Sequence, residues 1–449
     1  MAAWTLPESI TQWIELLTLA LDRRSRKYLA PVLLGMLLSS GRRTVSSWLR
    51  AVRVGDDWQD YYYFLQTLGR SAAAVSTRLL LIALRHVPRS HVGNYVRLAI
   101  DDSPTKRYGP QVEAAGIHHN PTPGPAGSEY LYGHVWVTLS WLVRHPKWGC
   151  LGLPLRALMY VRRTDLEAMD RADKAPWPFR TKLELASELV EWCVKIFRDW
   201  LEKPVIVAAD GAYAKREFLK RVQDAGAIVV SRLRKDAALF DLPEAFRRRG
   251  KGRPRKYGKN RLSLAKRGAH RQGWTTEEMT LYGKLQSVTY KTFRATYPPA
   301  GGTIRVVIVK DADGGWVAFF STDPELGVAE ILDSVSDRSA IEQNFHDVKE
   351  VHGAGQQQVR NVWCNVACWH LCLWLHTLVE LWSWRRSGNT LRQRDDRPWE
   401  DPSRRPSHAD RVKTLKKQVF HETFLRLPRR QRASRKIRSL FETLKNLAT

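Results

Sequence analysis

Three places in the sequence put a carboxylate where chemistry can use it. Asp101 and Asp102 end the apolar run YVRLAI, and Asp210 ends VIVAA just before Gly211. Short apolar runs of this kind read as buried strands. Acids at the carboxyl ends of such strands project into the crevice where α/β folds place their sites. Plainer roles exist for each. Asp210 can cap a helix that starts near Tyr213, and Asp101 and Asp102 can form an Asx-turn with Ser103 and Pro104. The third acid lies on a helical stretch. At ~100° per residue, Arg338, His346 and Lys349 fall within ~40° of Glu342. Ile341, Phe345, Val348 and His352 form an adjoining stripe that faces the core, while Asp347 points ~140° away and Glu350 ~80° away. Glu342 is thus the acid that borders the core with cations on its own face. Its plainer role is an i,i+4 ion pair with Arg338, worth a few tenths of a kcal/mol. Taken together, the three carboxylates can converge on a pair of divalent ions. Hard oxygen donors suit Mg²⁺ or Mn²⁺. Two such ions ~4 Å apart activate a water or a 3′-hydroxyl and stabilise the leaving oxygen of a phosphodiester.

The elements that must hold these acids are legible in outline. Residues 1–94 read as helical, with Pro31 as a break or a first-turn residue. Thr44 and Ser46 are candidate N-caps, and two short helices beyond them form either a helix-turn-helix or part of an ordinary bundle. YVRLAID, GHVWVTLSWLV and LGLPLRALMYV read as strands, and RTKLELASELVEWCVKIFRDWL as a helix. VIVAADGAYAKREFLKRVQDAGAIVVSRL is strand, turn, helix, strand, the pattern of a parallel β-α-β unit. SVTYKTFRATY, TIRVVIV and GWVAFFST are three further strands, followed by one helical pattern over VAEILDSVSDRSAIEQNFHDVKEVHG and another over NVWCNVACWHLCLWLHTLVELW. The last of these is interrupted by Asn365, His370, His376 and Glu380, which suits a buried helix better than a bilayer span. Cys364, Cys368 and Cys372 share one face of it and read as small residues of that buried helix. His118 and His119 sit in a Gly/Pro-rich loop and read as solvated.

Charge decides the class of partner. The chain has 449 residues, enough for two or three domains, and its formal net charge is +28. A chain this basic attracts polyanions, with nucleic acid first and an anionic membrane surface second. The segment 247–271 holds twelve Lys or Arg and no Asp or Glu, and 385–449 holds nineteen against seven. Such blocks stay solvated until a polyanion neutralises them. RGKGRPRKYG can place Arg253, Arg255 and Lys256 on DNA, either as a hook in a narrow minor groove or as a plain phosphate-binding loop. RQRDDRPWEDPSRRPS reads as a linker. In HADRVKTLKKQVFHETFLRL, Val412, Leu415, Val419 and Phe420 recur at helical spacing, which suits packing either on the same chain or on a partner. The N-terminus lacks a signal-peptide pattern, and five unframed cysteines suit a reducing, cytoplasmic setting.

IDDSPTKRYGP, VIVAADGAY and the spacing Arg338-x3-Glu342-x6-Lys349 resemble the three blocks of DDE insertion-sequence transposases, in particular the groups with a β-rich insertion between the second Asp and the Glu. Val335 stands where that family usually has Tyr. The resemblance implies an α/β, RNase H-like mixed-sheet core, with a helical N-terminal DNA-binding domain over 1–94. The core would be formed by 95–232 and 326–385, the basic β-rich insertion by 233–325, and a helical, basic C-terminal segment by 386–449. It implies Asp101, Asp210 and Glu342 as ligands of Mg²⁺ or Mn²⁺, and Arg338 and Lys349 as contacts to DNA phosphates. An insertion tryptophan, Trp274 or Trp316, would stack on a flipped base; a core or surface position is the plainer reading of either. The implied partners are the terminal inverted repeats of an element and its target, both double-stranded DNA, bound by a homodimer in the cytoplasm, at the nucleoid. A metal-dependent nuclease of the same fold and a non-catalytic DNA-binding protein are the alternatives.

Overall fold

The computed structural model describes residues 4–120, 127–171, 176–244, 255–311, 313–392 and 404–425, together with 399, 401 and 441. Five helices come first: α1 (Glu8–Thr18), α2 (Arg26–Leu38), α3 (Val45–Ala51), α4 (Trp58–Arg70) and α5 (Ala72–His86). Thr44 caps α3 by accepting a hydrogen bond from the Ser47 amide at 3.1 Å. Then follow β1 (Val96–Lys106), β2 (Gly116–His119), β3 (Tyr130–His145), β4 (Gly149–Tyr160), α6 (Arg163–Asp170), α7 (Lys182–Leu201), β5 (Val205–Ala209), α8 (Arg216–Asp224) and β6 (Ala227–Leu233). The next stretch holds β7 (Leu239–Phe240), β8 (Arg261–Leu262), α9 (Leu264–Ala269), β9 (Thr275–Leu281), β10 (Lys284–Tyr297), β11 (Gly302–Lys310) and β12 (Trp316–Ser321). Helices α10 (Val328–Asp337), α11 (Ser339–Glu350), α12 (Val362–Ser383), α13 (Gly388–Leu391) and α14 (His408–Leu425) complete the chain.

The strands β4-β3-β1-β5-β6 form the centre of one mixed sheet. β4 pairs with β3 and β3 with β1, both antiparallel, whereas β5 lies parallel to β1 and β6 parallel to β5. Three antiparallel strands followed by two parallel to the first is the RNase H-like arrangement. The parallel steps run through α7 and α8, as crossovers between parallel strands require. β12 then pairs antiparallel with β6, and β11 and β10 continue the same sheet.

Two elements depart from the expected boundaries. β1 does not stop at Asp101 but runs on to Lys106, because its partner β3 extends as far as Gly133 and supplies hydrogen bonds along the whole length. The helical pattern after Gly327 is two helices that meet at Arg338. β9 was invisible to patterning because most of its residues, from Thr275 to Glu278, are exposed and polar.

α12 is buried almost end to end, which accounts for its bilayer-like composition: 94% of its most apolar window lies inside the protein. Cys364, Cys368 and Cys372 are buried free thiols on it. His118, in contrast, is not solvated. It lies on β2 against the Tyr160 ring, only 9% exposed, and burial lowers its pKa to about 4. Val412, Leu415 and Val419 of α14 are buried in the same core, and Phe420 meets the Trp4 ring edge-on at 5.2 Å. That face of α14 therefore packs on its own chain.

α4 approaches α12 so closely that only glycine fits at position 69: a Cβ there would lie 2.0 Å from the Trp363 carbonyl oxygen. Gly69→Ala should push the helices apart and cost about 1–3 kcal/mol. An unchanged urea midpoint would show that the contact gives way freely.

Candidate active site

β1 sends alternate side chains to opposite faces of the sheet. Arg97 pairs with Glu330 of α10, and Asp101 on the same side meets Arg338 at the α10–α11 junction. Asp102 points to the other side. Its two carboxylate oxygens receive Lys182 Nζ at 2.7 Å and the Tyr213 hydroxyl at 3.0 Å. The pleat thus separates the two neighbouring acids: Asp102 is engaged at the start of α7, and Asp101 faces the helix that carries Glu342.

Arg338 joins two of the three acids. Its Nη1 donates to Asp101 Oδ2 at 2.8 Å and its Nη2 to Glu342 Oε1 at 2.7 Å. The helix ion pair therefore exists, but the same guanidinium also bridges to β1. The core stripe is as the rotation predicts, with Ile341, Phe345 and Val348 of α11 and His352 just beyond it all buried. Asp210 follows the last paired residues of β5 and β1, Ala209 and Ile100. Asp101 and Asp210 thus each follow the last residue at which β1 and β5 pair, and Asp101 feels the charge of Asp210. Its side chain makes no capping hydrogen bond to the short turn Gly211–Tyr213, and it is exposed. The Asx-turn is likewise not formed: Asp101 Oδ1 accepts only from the adjoining Asp102 amide, at 2.8 Å.

The electrostatics of Asp101 are strained. Burial is the main cause, Arg338 opposes it, and the charges of Asp102 and Asp210 add to it; the carboxyl ends at about 6. Its side chain is 21% exposed. A folded-state pKa above the unfolded value of about 3.9 means that the ionised group opposes folding. The cost, about 3 kcal/mol at most, is full above pH 6 and vanishes as the pH falls toward 4. Asp101→Asn should therefore raise the Tm of the metal-free protein at pH 8 and leave it unchanged near pH 4. Equal effects at both values would assign the change to something other than this charge.

An open groove of about 1230 Å³ runs past Asp101, Asp102 and Glu342, and Arg42, Lys106 and Lys349 also line it. Burial lowers the pKa of Lys349. Arg42 carries no motif, and Lys106, though inside IDDSPTKRYGP, had no role assigned from sequence. Asp210 is outside the groove lining. Arg255 and Lys256, between β7 and β8, are exposed and do not line the groove, and Arg253 lies outside the described residues. Much of the basic block, 247–254, and the tail from 426 share that position, except Phe441. Trp274 and Trp316 are both partly buried. Lys291 and Lys310 lie over the Trp274 ring at 4.6 and 4.9 Å, and Lys235 lies over Trp316 at 5.2 Å.

Residues 16–296 match the family model described as DDE superfamily endonuclease. The chain belongs to the DDE superfamily of endonucleases. The matched stretch contains Asp101 and Asp210 and ends before Glu342. No curated protein matches. Among solved structures, a piggyBac transposase synaptic complex with hairpin DNA, determined by cryo-EM, is similar over 97% of this chain and 75% of that one. The identity is 10% and the TM-score 0.40. For a DDE endonuclease the donor set is apt. The acids offer hard oxygens, and the Arg338 guanidinium already bridges two of them as a cation. A divalent metal ion fits the same chemistry.

Proposed function

We propose that this DDE endonuclease is a DNA transposase that cuts element ends and joins them to target DNA. The observation that supports it most is the bridge from Arg338 to both Asp101 and Glu342, beside Asp210, on the wall of a groove that also carries Lys349, Arg42 and Lys106. Asp101, Asp210 and Glu342 would hold Mg²⁺ or Mn²⁺, whose chemistry there would be activation of the attacking oxygen and stabilisation of the leaving one. Asp101 is assigned rather than Asp102 because Lys182 and Tyr213 already engage Asp102. Arg338 would turn from the acids toward a DNA phosphate, and Lys349 would contact the same backbone from the groove wall. The net charge of +28 supplies the long-range attraction for a polyanion.

Residues 1–94 would contribute to DNA binding. The core would be formed by 95–232 and 326–385. The insertion over 233–325, with Arg253, Arg255 and Lys256, and the segment 386–449 would add phosphate contacts. Two ends must be cut in concert, so we assign the working form to a homodimer on DNA. Subunits of such charge repel one another until DNA neutralises them.

A strand-transfer assay tests the reading. Terminal-repeat DNA with a free 3′-hydroxyl, incubated with target DNA and Mg²⁺, should yield joined products. Cleavage without joining would identify a nuclease of the same fold. Binding without either would identify a DNA-binding protein that has lost the chemistry.

A further inference from the structure

A second cluster of donor atoms lies on the side of α11 turned away from the groove. Asp347 of α11, His376 of α12 and His408 of α14 are all buried, and one ligand atom from each lies within 4.8 Å of the others. We propose that these three residues form a structural Zn²⁺ site, separate from the Asp101–Glu342 groove and independent of the transposase reading.

The supporting arrangement is that of a metal-binding histidine. His408 Nδ1 lies 2.7 Å from Glu380 Oε1. A carboxylate there fixes the proton on Nδ1, as the outer partner of a zinc histidine does, and leaves on Nε2 a lone pair that faces His352 Nε2 at 2.8 Å. Glu380 is in turn held by Arg411 Nη1 at 2.7 and 2.6 Å. His376 is 2% exposed, its Nε2 lies 3.7 Å from Asp347 Oδ2, and its Nδ1 is buried with no hydrogen-bond partner. The nitrogen turned toward Asp347 is Nε2, so an ion shared with Asp347 would bind there and leave the proton on Nδ1. A cavity of about 120 Å³ borders all three residues, enough for an ion and a water.

Charge agrees with the geometry. Arg411 neutralises Glu380, whereas Asp347 receives only the Gln343 amide at 2.9 Å and the exposed His346 ring at 3.3 Å besides His376. A dication beside Asp347 offsets that buried carboxylate. Two imidazoles and one carboxylate suit Zn²⁺, which has no geometric preference of its own, and do not suit Mg²⁺, which favours oxygen. The His376 and His408 rings stack at 3.9 Å, so one must rotate to share an ion. His352 Nε2, 2.8 Å from His408 Nε2, or a water in the cavity is the available fourth ligand. Such a site would clamp α11 to α12 and α14 a few residues beyond Glu342.

The test uses the full-length protein, stripped with a chelator and then dialysed against Zn²⁺ in excess Mg²⁺. Metal analysis should find one tightly held Zn²⁺ per chain, and chelation should lower the Tm. His376→Gln and Asp347→Asn should each lose that ion, and Asp101→Asn should keep it. Co²⁺ in place of Zn²⁺ should give the visible bands of a four-coordinate site, absent in His376→Gln. Should His376→Gln not fold, as circular dichroism would report, the nearly isosteric Asp347→Asn decides. No stoichiometric Zn²⁺ in the unaltered protein, or equal Zn²⁺ in the folded variants, overturns the proposal.

Discussion

Asp210→Asn should leave DNA binding intact and lower metal-dependent cleavage by at least about a thousandfold. The size follows from the chemistry. Divalent metals stabilise transition-state charge by several kcal/mol, and about 4 kcal/mol is a factor of a thousand in rate. The amide keeps the shape of the side chain and removes the anionic donor. The structure predicts little else from the change. Asp210 is exposed, makes no capping bond, and sits one residue beyond a fully buried strand. Surface changes of this kind cost less than about 0.5 kcal/mol, so folding and affinity should survive. Gel-shift titration and cleavage of end-labelled DNA in Mg²⁺ separate the two properties. Cleavage near the unaltered rate would remove Asp210 from the site.

The largest stability effect is expected at Glu380. Its carboxylate receives Arg411 on both oxygens and His408 on one, and all three residues are under 5% exposed. Burying two charges is expensive, and their attraction offsets the cost only while both are present. Glu380→Ala leaves the Arg411 guanidinium buried and unpaired, and should destabilise the protein by about 3–5 kcal/mol. Glu380→Leu combined with Arg411→Met removes both charges and should recover most of that loss. Urea titration of the two variants reads the difference. A single variant within about 1 kcal/mol of the parent would mean that water reaches Arg411 and that α14 is held by its apolar face alone.

What the sequence made legible follows from which forces are local. Glu342 could be oriented from sequence because helical rotation is a property of one segment, and the buried stripe Ile341, Phe345, Val348 bears it out. The parallel strands around Asp210 stood out because both faces of a central strand are apolar. Asp101 and Asp102 could not be separated by pattern, since the pleat that parts them is set by β3 and by Lys182, some eighty positions away. The reach of Arg338 to Asp101 was hidden for the same reason. The buried histidines were hidden in another way. His376 lies in an apolar run and His352 on an apolar stripe, where a single histidine is normally a satisfied core residue; only the packing of α14 brings His408 onto them.

The way the sheet is extended has a consequence for descent. The chain leaves the core through β6 and returns through β12, and these two strands hydrogen-bond to each other from Val230–Ser321 to Leu233–Ala318. Departure and re-entry are therefore neighbours in space, however much chain lies between them. An excursion anchored in this way can lengthen, shorten or be exchanged without altering the distance between Asp210 before it and Glu342 after it. Related chains can thus vary what they carry at this one doorway while Asp210 and Glu342 keep their places.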